Sequence, residues 1–298
     1  MTELVAGNLE LGLAPEVGGS VAYFRLRDGS RVVDLMRPLD EAARRRRDPI
    51  GVAMFPMVPY ANRIADNLFS FRGRDYRFTA NNPPERFNVH GTAWHQPWTV
   101  HADGPGRVSL ELIHEDPGGA PYSYLARQLF DLAPDRLTVT MLVENRGREV
   151  MPFGFGEHPW FDRDPDVEVR YSAASVWLEG PDGVATERIA TPPELGFAGW
   201  KRLPPARRNL CYGGWDGRLD IRWPGRGVAL HIKADPIYRH LMVYCDPARP
   251  TFCLEPQTNA TGALNRIADG TPDPDLGVIL LEPGASASGA MTFRPQRV

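Results

Sequence analysis

The chain has few of the features that mark nucleic-acid-binding, secreted or membrane-spanning proteins. Its 34 lysines and arginines are offset by 37 acidic residues, so the formal net charge is -3 and no basic excess is available to neutralise a phosphate backbone. The N-terminus lacks a basic segment followed by an apolar core, and no apolar run is as long as a membrane span. We therefore expect a cytoplasmic protein without nucleic-acid or membrane partners.

Cysteine is also scarce. Cys211, Cys245 and Cys253 are the 3 cysteines, and their odd number and lack of Cys-x-x-Cys spacing indicate neither a disulfide framework nor a zinc knuckle. Reduced thiols in the core are the expectation. The HExxH, P-loop, GxSxG and GxGxxG motifs are absent too, so metalloprotease, nucleotide and dinucleotide sites lack support.

What the chain does contain is many short segments in which apolar and polar residues alternate. The alternation is clearest at residues 107–113, 136–143 and 228–232, and period two predicts β-strands. The 29 glycines and 29 prolines are scattered between such segments, as turn residues are. The helical candidate of note runs from Leu39 to Arg47. With no repeat and no linker, this pattern predicts a single all-β domain over residues 1–298.

So many strands predict two large antiparallel sheets packed as a sandwich, because a single sheet that wide would twist apart or close on itself. Side chains fill the interior of a sandwich. Functional groups are therefore expected on an exposed sheet face or in the loops at its rim.

Four segments combine titratable, polar and aromatic residues with turn residues. They are 59–64 (PYANRI), 87–91 (FNVHG), 152–161 (PFGFGEHPWF) and 252–258 (FCLEPQT). Each has an ordinary structural interpretation, such as a turn histidine for His90, a core imidazole for His158 and a strand-end carboxylate for Glu255. Together, however, they offer a histidine and a carboxylate for proton transfer, an arginine fork and aromatic faces that suit a sugar ring. Their combination indicates a saccharide site.

The order and local sequence of these segments resemble the aldose 1-epimerase, or galactose mutarotase, family over nearly the whole chain. The matching stretches are Asn62-Arg63-Ile64, His90-Gly91, His158-Pro159-Trp160-Phe161, Glu255-Pro256-Gln257-Thr258 and the turn Gly214-Trp215-Asp216-Gly217. The resemblance implies the large antiparallel β-sandwich of the galactose mutarotase type, the supersandwich. It also implies an isomerase that interconverts the α and β anomers of a free sugar with no metal and no other cofactor. We expect a monomer or a homodimer.

The resemblance further implies a role for individual residues. Glu255 would be the general base that takes the proton of the anomeric hydroxyl, and His158 the general acid that protonates the ring oxygen. Each such group contributes on the order of a hundred- to ten-thousand-fold in rate. The nearby carboxylate is expected to keep His158 charged near neutral pH. The residues expected to hold the sugar are Arg63, His90, Asn62 and Trp160.

One position departs from the family pattern. Where the family has an aspartate that binds sugar hydroxyls, Asn209 gives the best alignment. A neutral amide can bridge two hydroxyls but is a weaker acceptor than a carboxylate, so the substrate can differ from galactose. Asp216 is the second candidate for this role, although Asp-Gly is first of all a turn signal.

Several alternatives remain open at this stage. The run Arg44–Arg47 could grip a phosphate, which would favour a hexose-6-phosphate 1-epimerase, but such runs are more often solvated helix ends. A glycoside hydrolase would need a second carboxylate, for which Asp162 is the candidate. A sugar-binding protein that kept the fold without the chemistry is the alternative from another class.

Three side-chain interpretations accompany these alternatives. His90, His95 and His158 could form a metal site. Glu157 is expected to point away from His158, since adjacent strand residues face opposite sides of a sheet. Trp160, Trp94 and Trp98 can be ordinary core aromatics, but one of them is also a candidate to stack on the sugar.

Overall fold

A computed structural model describes residues 1–115, 121–180, 182–267 and 273–298. Strands make up most of this part of the chain. They are β1 (Thr2–Ala6), β2 (Leu9–Ala14), β3 (Ser20–Asp28), β4 (Arg31–Asp34), β5 (Met54–Met57), β6 (Arg63–Ile64), β7 (Leu68–Phe71), β8 (Arg74–Arg77), β9 (Asn88–Val89), β10 (Thr99–Gly104), β11 (Arg107–His114), β12 (Tyr124–Ala133), β13 (Arg136–Asn145), β14 (Met151–Phe153), β15 (Gly156–Asp162), β16 (Glu168–Glu179), β17 (Ala185–Ala190), β18 (Phe197–Arg202), β19 (Arg208–Trp223), β20 (Val228–Ala234), β21 (His240–Cys245), β22 (Thr251–Gln257), β23 (Ile279–Leu281) and β24 (Ser286–Arg297). Short 3₁₀ helices lie at Pro49–Gly51, Ala65–Asn67, Ala93–His95, Pro224–Arg226, Ala263–Arg266 and Pro274–Leu276.

The strands form where the sequence alternates. The segments 107–113, 136–143 and 228–232 lie in β11, β13 and β20, so these three predictions are confirmed. In β13 buried and partly exposed residues alternate, so Leu137 and Val139 are buried on one face while Thr138 between them is partly exposed on the other. Burying one face of each strand is the main driving force for this architecture.

The helical candidate is also confirmed, as α1 (Glu41–Arg46). The Asp40 side chain accepts a hydrogen bond from the backbone N–H of Ala42, and Arg47 ends the helix in the left-handed conformation at φ 54°. Arg44 lies within 3.6 Å of Glu16, and Arg46 lies within 3.6 Å of Asp48. The basic run is therefore a solvated helix end. In the described residues no helix has both the length and the apolar character to cross a membrane.

The strand pairings of the described residues are antiparallel, and most of these strands form two large sheets, as predicted. The pairs β6-β9, β7-β8 and β14-β23 form separate two-stranded sheets. The first sheet runs β1-β2-β3-β5-β15-β22-β21 to the N-terminal half of β19. The second runs β10-β11-β12-β13-β24-β20 to the C-terminal half of β19. The sheets are not separate, however, because β19 is 16 residues long and belongs to both, with β16 paired along it. Hydrogen bonds thus connect 18 of the described strands.

The core lies between the two sheets. Leu11 and Phe24 of the first sheet are fully buried in one cluster with Val139 and Phe293 of the second. The Gln128 side chain of β12 donates a hydrogen bond across the gap to the backbone carbonyl of Gly19 at 2.8 Å. The three cysteines are buried free thiols, which confirms that expectation.

Glu157 on β15 points away from its neighbour His158, as the strand alternation predicted. Its side chain is 1% exposed, and neither carboxylate oxygen has a hydrogen-bond partner in the described residues. Burial raises the pKa of Glu157 well above its ordinary value of 4.5. The folded protein therefore holds this carboxyl in its protonated, uncharged form.

Glu157→Gln should change how stability depends on pH. A carboxyl whose pKa is raised by folding contributes stability that is present below the unfolded pKa and is lost as pH rises through the folded one. The amide does not titrate, so we expect the variant to gain thermal stability relative to wild type as pH rises above the ordinary carboxyl value of 4.5. The gain should be roughly 3 °C or more, because one pKa unit is about 1.4 kcal/mol. Thermal unfolding followed by circular dichroism measures it, and a difference independent of pH would contradict the assignment.

Candidate active site

The predicted site residues converge on one face of the first sheet, where β5, β15, β22, β21 and β19 lie side by side. Alternate residues of these strands point to this face and line a cavity of about 470 Å³. Loops from the first half of the chain close one wall. The strand residues that line it are Phe55, His158, Trp160, Glu255, Met242, Tyr244 and Asn209.

A buried histidine and carboxylate form the centre of this cavity. His158 Nε2 lies 3.1 Å from Glu255 Oε1, across the neighbouring strands β15 and β22. The two residues are only 8% and 2% exposed, yet both line the cavity. A ligand in the cavity could therefore contact both groups.

Burial controls the charge of this pair. It raises the pKa of Glu255 to about 8, and the Arg63 guanidinium opposes that rise. Burial also lowers the pKa of His158 to about 3, with the positive charges of Arg37 and Arg63 adding to the effect. Burial and the two arginines thus favour the neutral imidazole, contrary to the expectation that the carboxylate keeps His158 charged near neutral pH. At any pH between these two pKa values the pair holds one proton, and burial favours the state in which that proton is on Glu255.

Aromatic rings hold the imidazole in place. His158 stacks against Phe55 at 4.4 Å and against Trp160 at 5.1 Å between ring centroids. Arg37 lies over the Trp160 ring at 4.6 Å, and it donates a hydrogen bond to the backbone carbonyl of Ile50 at 2.6 Å. The Trp160 indole N–H is buried without a hydrogen-bond partner in the described residues. Trp94 stacks on Phe55 at 4.9 Å and also lines the cavity, whereas Trp98 lies in the core as expected.

The Asn62 and His90 turns face each other beside the pair. Both residues adopt the left-handed conformation, with φ 67° and 59°. The Asn62 backbone N–H donates to His90 Nδ1 at 3.0 Å, and the His90 N–H donates to the Asn62 carbonyl at 3.0 Å. Since Nδ1 accepts, the proton of the neutral ring is on Nε2. Burial, with the positive charge of His158 when it is protonated, lowers the pKa of His90 well below its ordinary value, so this ring is a neutral donor.

Two features fix these turns. A Cβ on Gly91 would lie 2.3 Å from Pro59 Cδ, so only glycine fits after His90, where φ is 68°. The buried Asn259 side chain accepts from the Ala61 N–H and donates to the Ala61 carbonyl, both at 3.0 Å. Asn259 therefore ties the turn that carries Asn62 to the strand that carries Glu255.

Arg63 reaches the cavity with its charge already paired. Its Nε and Nη2 donate to the two carboxylate oxygens of Glu85 at 3.0 and 2.9 Å. Such a bidentate pair fixes the plane of the guanidinium. Its other N–H groups are left for a ligand.

Asp216 does not belong to this site, which corrects the expectation for it. Its Oδ1 accepts a hydrogen bond from the Arg218 N–H at 2.9 Å within a turn, and the residue lines a cavity of about 860 Å³ on the outer face of the second sheet. That larger cavity also contains a histidine and carboxylate, His231 and Asp220, at 2.7 Å. There the second ring nitrogen is within 2.9 Å of Gln296, so no nitrogen is left for a ligand. We therefore place the site in the smaller cavity.

Asp162 is engaged elsewhere as well. Both terminal nitrogens of Arg226 donate to its Oδ2 at 3.1 Å, and it does not line the cavity. The second carboxylate that a glycoside hydrolase needs is thus not supplied by Asp162.

The histidine trio suggested as a metal site is not assembled. In the part of the chain that the structure describes, the possible metal ligands that cluster are His158, Cys253 and Glu255, whose ligand atoms lie within 4.8 Å of one another. Burial raises the pKa of the Cys253 thiol well above its ordinary value.

Several residues that line the cavity carried no signal in the sequence. Phe55 lies in a wholly apolar strand that looks like core, and Glu85 and Arg249 lie in loops without a motif. Arg207 and Tyr244 complete this group.

His90 should stay neutral over the physiological pH range, with its proton on Nε2. Nitrogen-15 NMR of histidine-labelled protein measures both properties, and loss of the signal in His90→Gln assigns it. We expect this ring to be protonated only well below the ordinary histidine value of 6.5. A titration near the ordinary histidine value, or a proton on Nδ1, would contradict the hydrogen-bond pattern of the turns.

Comparisons with known proteins identify the family and the fold. A sequence model of the family described as aldose 1-epimerase matches residues 7–294. The uncharacterized protein YphB of Escherichia coli K12 is 32% identical over 298 residues, which is 97% of this chain and 96% of that protein. A crystal structure from Escherichia coli K12, of a protein named provisionally as an aldose 1-epimerase, has a TM-score of 0.89 at 30% identity, with 99% and 98% of the two chains covered. A galactose mutarotase-like protein from Clostridium acetobutylicum has a TM-score of 0.82 at 21% identity over 99% and 95% of the chains, and supports the fold alone.

Proposed function

The chain belongs to the aldose 1-epimerase family, and we propose that it interconverts the α and β anomers of a free aldose. The observation that carries the proposal is the contact of 3.1 Å between His158 and Glu255 in a cavity lined by aromatic rings. Anomer exchange opens the sugar ring by removing one proton from the anomeric hydroxyl and delivering one to the ring oxygen. A pair that holds one proton can do both, and needs no other acid or base.

Glu255 acts as the base and His158 as the acid once the shared proton has moved across the short contact to the imidazole. Ring opening then returns a protonated Glu255 and a neutral His158, which is the charge state that burial favours in the empty site. The aldehyde turns about the C1–C2 bond, and the pair reverses its roles as the other anomer closes. The resting site therefore matches the charge state of the open-chain intermediate, in which no separate ionic charge has to be buried.

The surrounding groups hold the ring. The Nε2–H of His90 and the N–H groups of Arg63 that Glu85 does not bind donate to hydroxyl oxygens, and Trp160 lines the cavity beside His158. Asn62 supports this arrangement through its turn. Asn209 lines the opposite side of the cavity.

Glu255→Gln and His158→Gln should each abolish most of the activity. Loss of a positioned proton-transfer group costs on the order of a hundred- to ten-thousand-fold. Polarimetry on freshly dissolved α-glucose and α-galactose, corrected for the spontaneous rate, measures the change. Glu157→Gln is the matched control, because it alters the carboxyl next to His158 that faces the other side of the sheet.

Two results would count against the proposal. If wild type left the spontaneous rate unchanged on free and phosphorylated aldoses while still binding one of them, the chain would be a sugar-binding protein. If Glu157→Gln lost as much activity as the other two variants, the pair would not be the proton-transfer unit.

Activity should fall as pH rises through about 8. Below that value Glu255 is protonated and the pair holds its one proton, whereas above it the proton leaves and none remains for the ring oxygen. Above about pH 8 we expect kcat/KM to decline about tenfold per pH unit, as it does when a single proton is lost. Polarimetry with buffer catalysis subtracted measures this decline. If the decline in kcat/KM began near the ordinary histidine value of about 6.5, or if no decline were seen up to about pH 10, it would not arise from the ionisation of Glu255.

A second candidate, the epimerisation of a hexose 6-phosphate, is favoured by one observation. Arg249 lines the cavity and is exposed, and no acidic side chain within the described residues forms an ion pair with it. A phosphate could use such a cation. The run Arg44–Arg47, by contrast, does not line the cavity.

Arg249→Gln separates the two substrates. For a free aldose we expect activity within about twofold of wild type, since the exposed guanidinium lies outside the proton-transfer pair. If glucose 6-phosphate is the substrate, the variant should lose roughly tenfold or more in kcat/KM on it alone, as expected for one charge-assisted contact. Arg45→Gln in the basic run is the control. A wild-type preference for the phosphorylated sugar that survives in Arg249→Gln would exclude this residue as the phosphate contact.

A further inference from the structure

Glu179, the last residue of β16, connects two residues that line the far side of the cavity. Its Oε1 accepts a hydrogen bond from Asn209 Nδ2 at 2.5 Å and another from Arg207 Nη2 at 3.0 Å. Its Oε2 accepts from Arg207 Nη1 at 2.7 Å. The carboxylate thus holds an amide and a guanidinium together, although Glu179 does not itself line the cavity.

This connection determines what Asn209 can offer. The side-chain nitrogen of an amide carries two N–H donors and its oxygen only accepts, so the bond to Glu179 uses one donor of Asn209 and leaves Oδ1 as an acceptor. Asn209 is 7% exposed and lines the cavity. Donation to a carboxylate also polarises the amide, which makes Oδ1 a better acceptor.

Arg207 complements this acceptor. Two of its N–H groups are held by Glu179, and the guanidinium lies at the rim with its side chain 49% exposed. Its remaining N–H groups can donate to an oxygen beside the one that Asn209 binds.

We propose that Glu179 is a positioning residue, which fixes Asn209 and Arg207 as a neighbouring acceptor and donor for two adjacent hydroxyl groups of the sugar. One hydroxyl donates to Asn209 Oδ1, and the oxygen of the next accepts from Arg207. The class of ligand is a neutral sugar with a vicinal diol. This inference rests on the proposed function, since it assumes that the ligand is a sugar.

Glu179→Gln tests the proposal, because it keeps the shape of the side chain and removes its charge. We expect KM to rise roughly tenfold while kcat stays within about threefold and the pH limb of wild type is retained. Asp182→Asn is the matched control, as it removes a carboxylate from an exposed ion pair with Arg86 in the adjoining loop. The thermal unfolding midpoint of each variant shows whether the fold is intact.

A second variant distinguishes positioning from a purely structural role. Combining Glu179→Gln with Asn209→Asp moves the carboxylate to the cavity wall, where it can accept from the hydroxyl directly. We expect KM to return to within about threefold of wild type. Deoxy sugars that lack one of the two hydroxyls should bind wild type more weakly but should bind Glu179→Gln nearly as well as the parent sugar does.

Measuring binding separates the test of Glu179 from the test of the proposed activity. Quenching of Trp160 fluorescence or calorimetry gives Kd for the sugar without turnover. If wild type binds sugars in a Glu179-dependent way but does not epimerise them, the proposed activity fails and the positioning role stands. If Kd and KM of Glu179→Gln equal those of wild type, or if the double variant is no better than Glu179→Gln, the positioning role is wrong.

Discussion

The burial of a histidine and a carboxylate against each other is the constraint on which the site depends. His158 and Glu255 lie on adjacent strands in the middle of a sheet, where β15 is flanked by β22 and β5, so the backbone of both is fixed by strand pairing. Their separation of 3.1 Å lets them share a proton, and their burial makes the uncharged arrangement favourable. A pair of this kind can transfer protons without exchange with solvent.

The remaining parts of the fold place other functional side chains around this pair. Strand alternation brings Phe55, Trp160 and Asn209 to the same face, and the long strand β19 extends that face into the second sheet. Loops supply the groups that strands cannot, because Asn62 and His90 need left-handed backbone conformations. On both sides of the cavity an acidic residue holds an arginine, Glu85 on one side and Glu179 on the other. The cations are thereby oriented before a ligand arrives, which lowers the entropy lost on binding.

Much of this could be predicted from the sequence because it depends on local patterns. Period two predicted the strands and the side to which Glu157 points, and the order of four short segments identified the family. The charge of His158 could not be predicted, since desolvation depends on what covers the ring in three dimensions. The prediction that Asp216 binds the sugar was wrong because its turn, though it resembles the family sequence, lies on the other sheet. Glu179 could not be found because its partners, Arg207 and Asn209, are separated from it by nearly 30 residues of chain.

The most direct test of the account is the ionisation of Glu255 at neutral pH in the protein without ligand. Infrared difference spectroscopy of wild type against Glu255→Gln detects the carbonyl stretch of a protonated carboxyl, and a pH titration gives its pKa. The account predicts a protonated Glu255 at pH 7 that ionises near about 8. An ionised Glu255 at pH 7, beside a charged His158, would show that attraction outweighs burial and would contradict the charge state on which the mechanism rests.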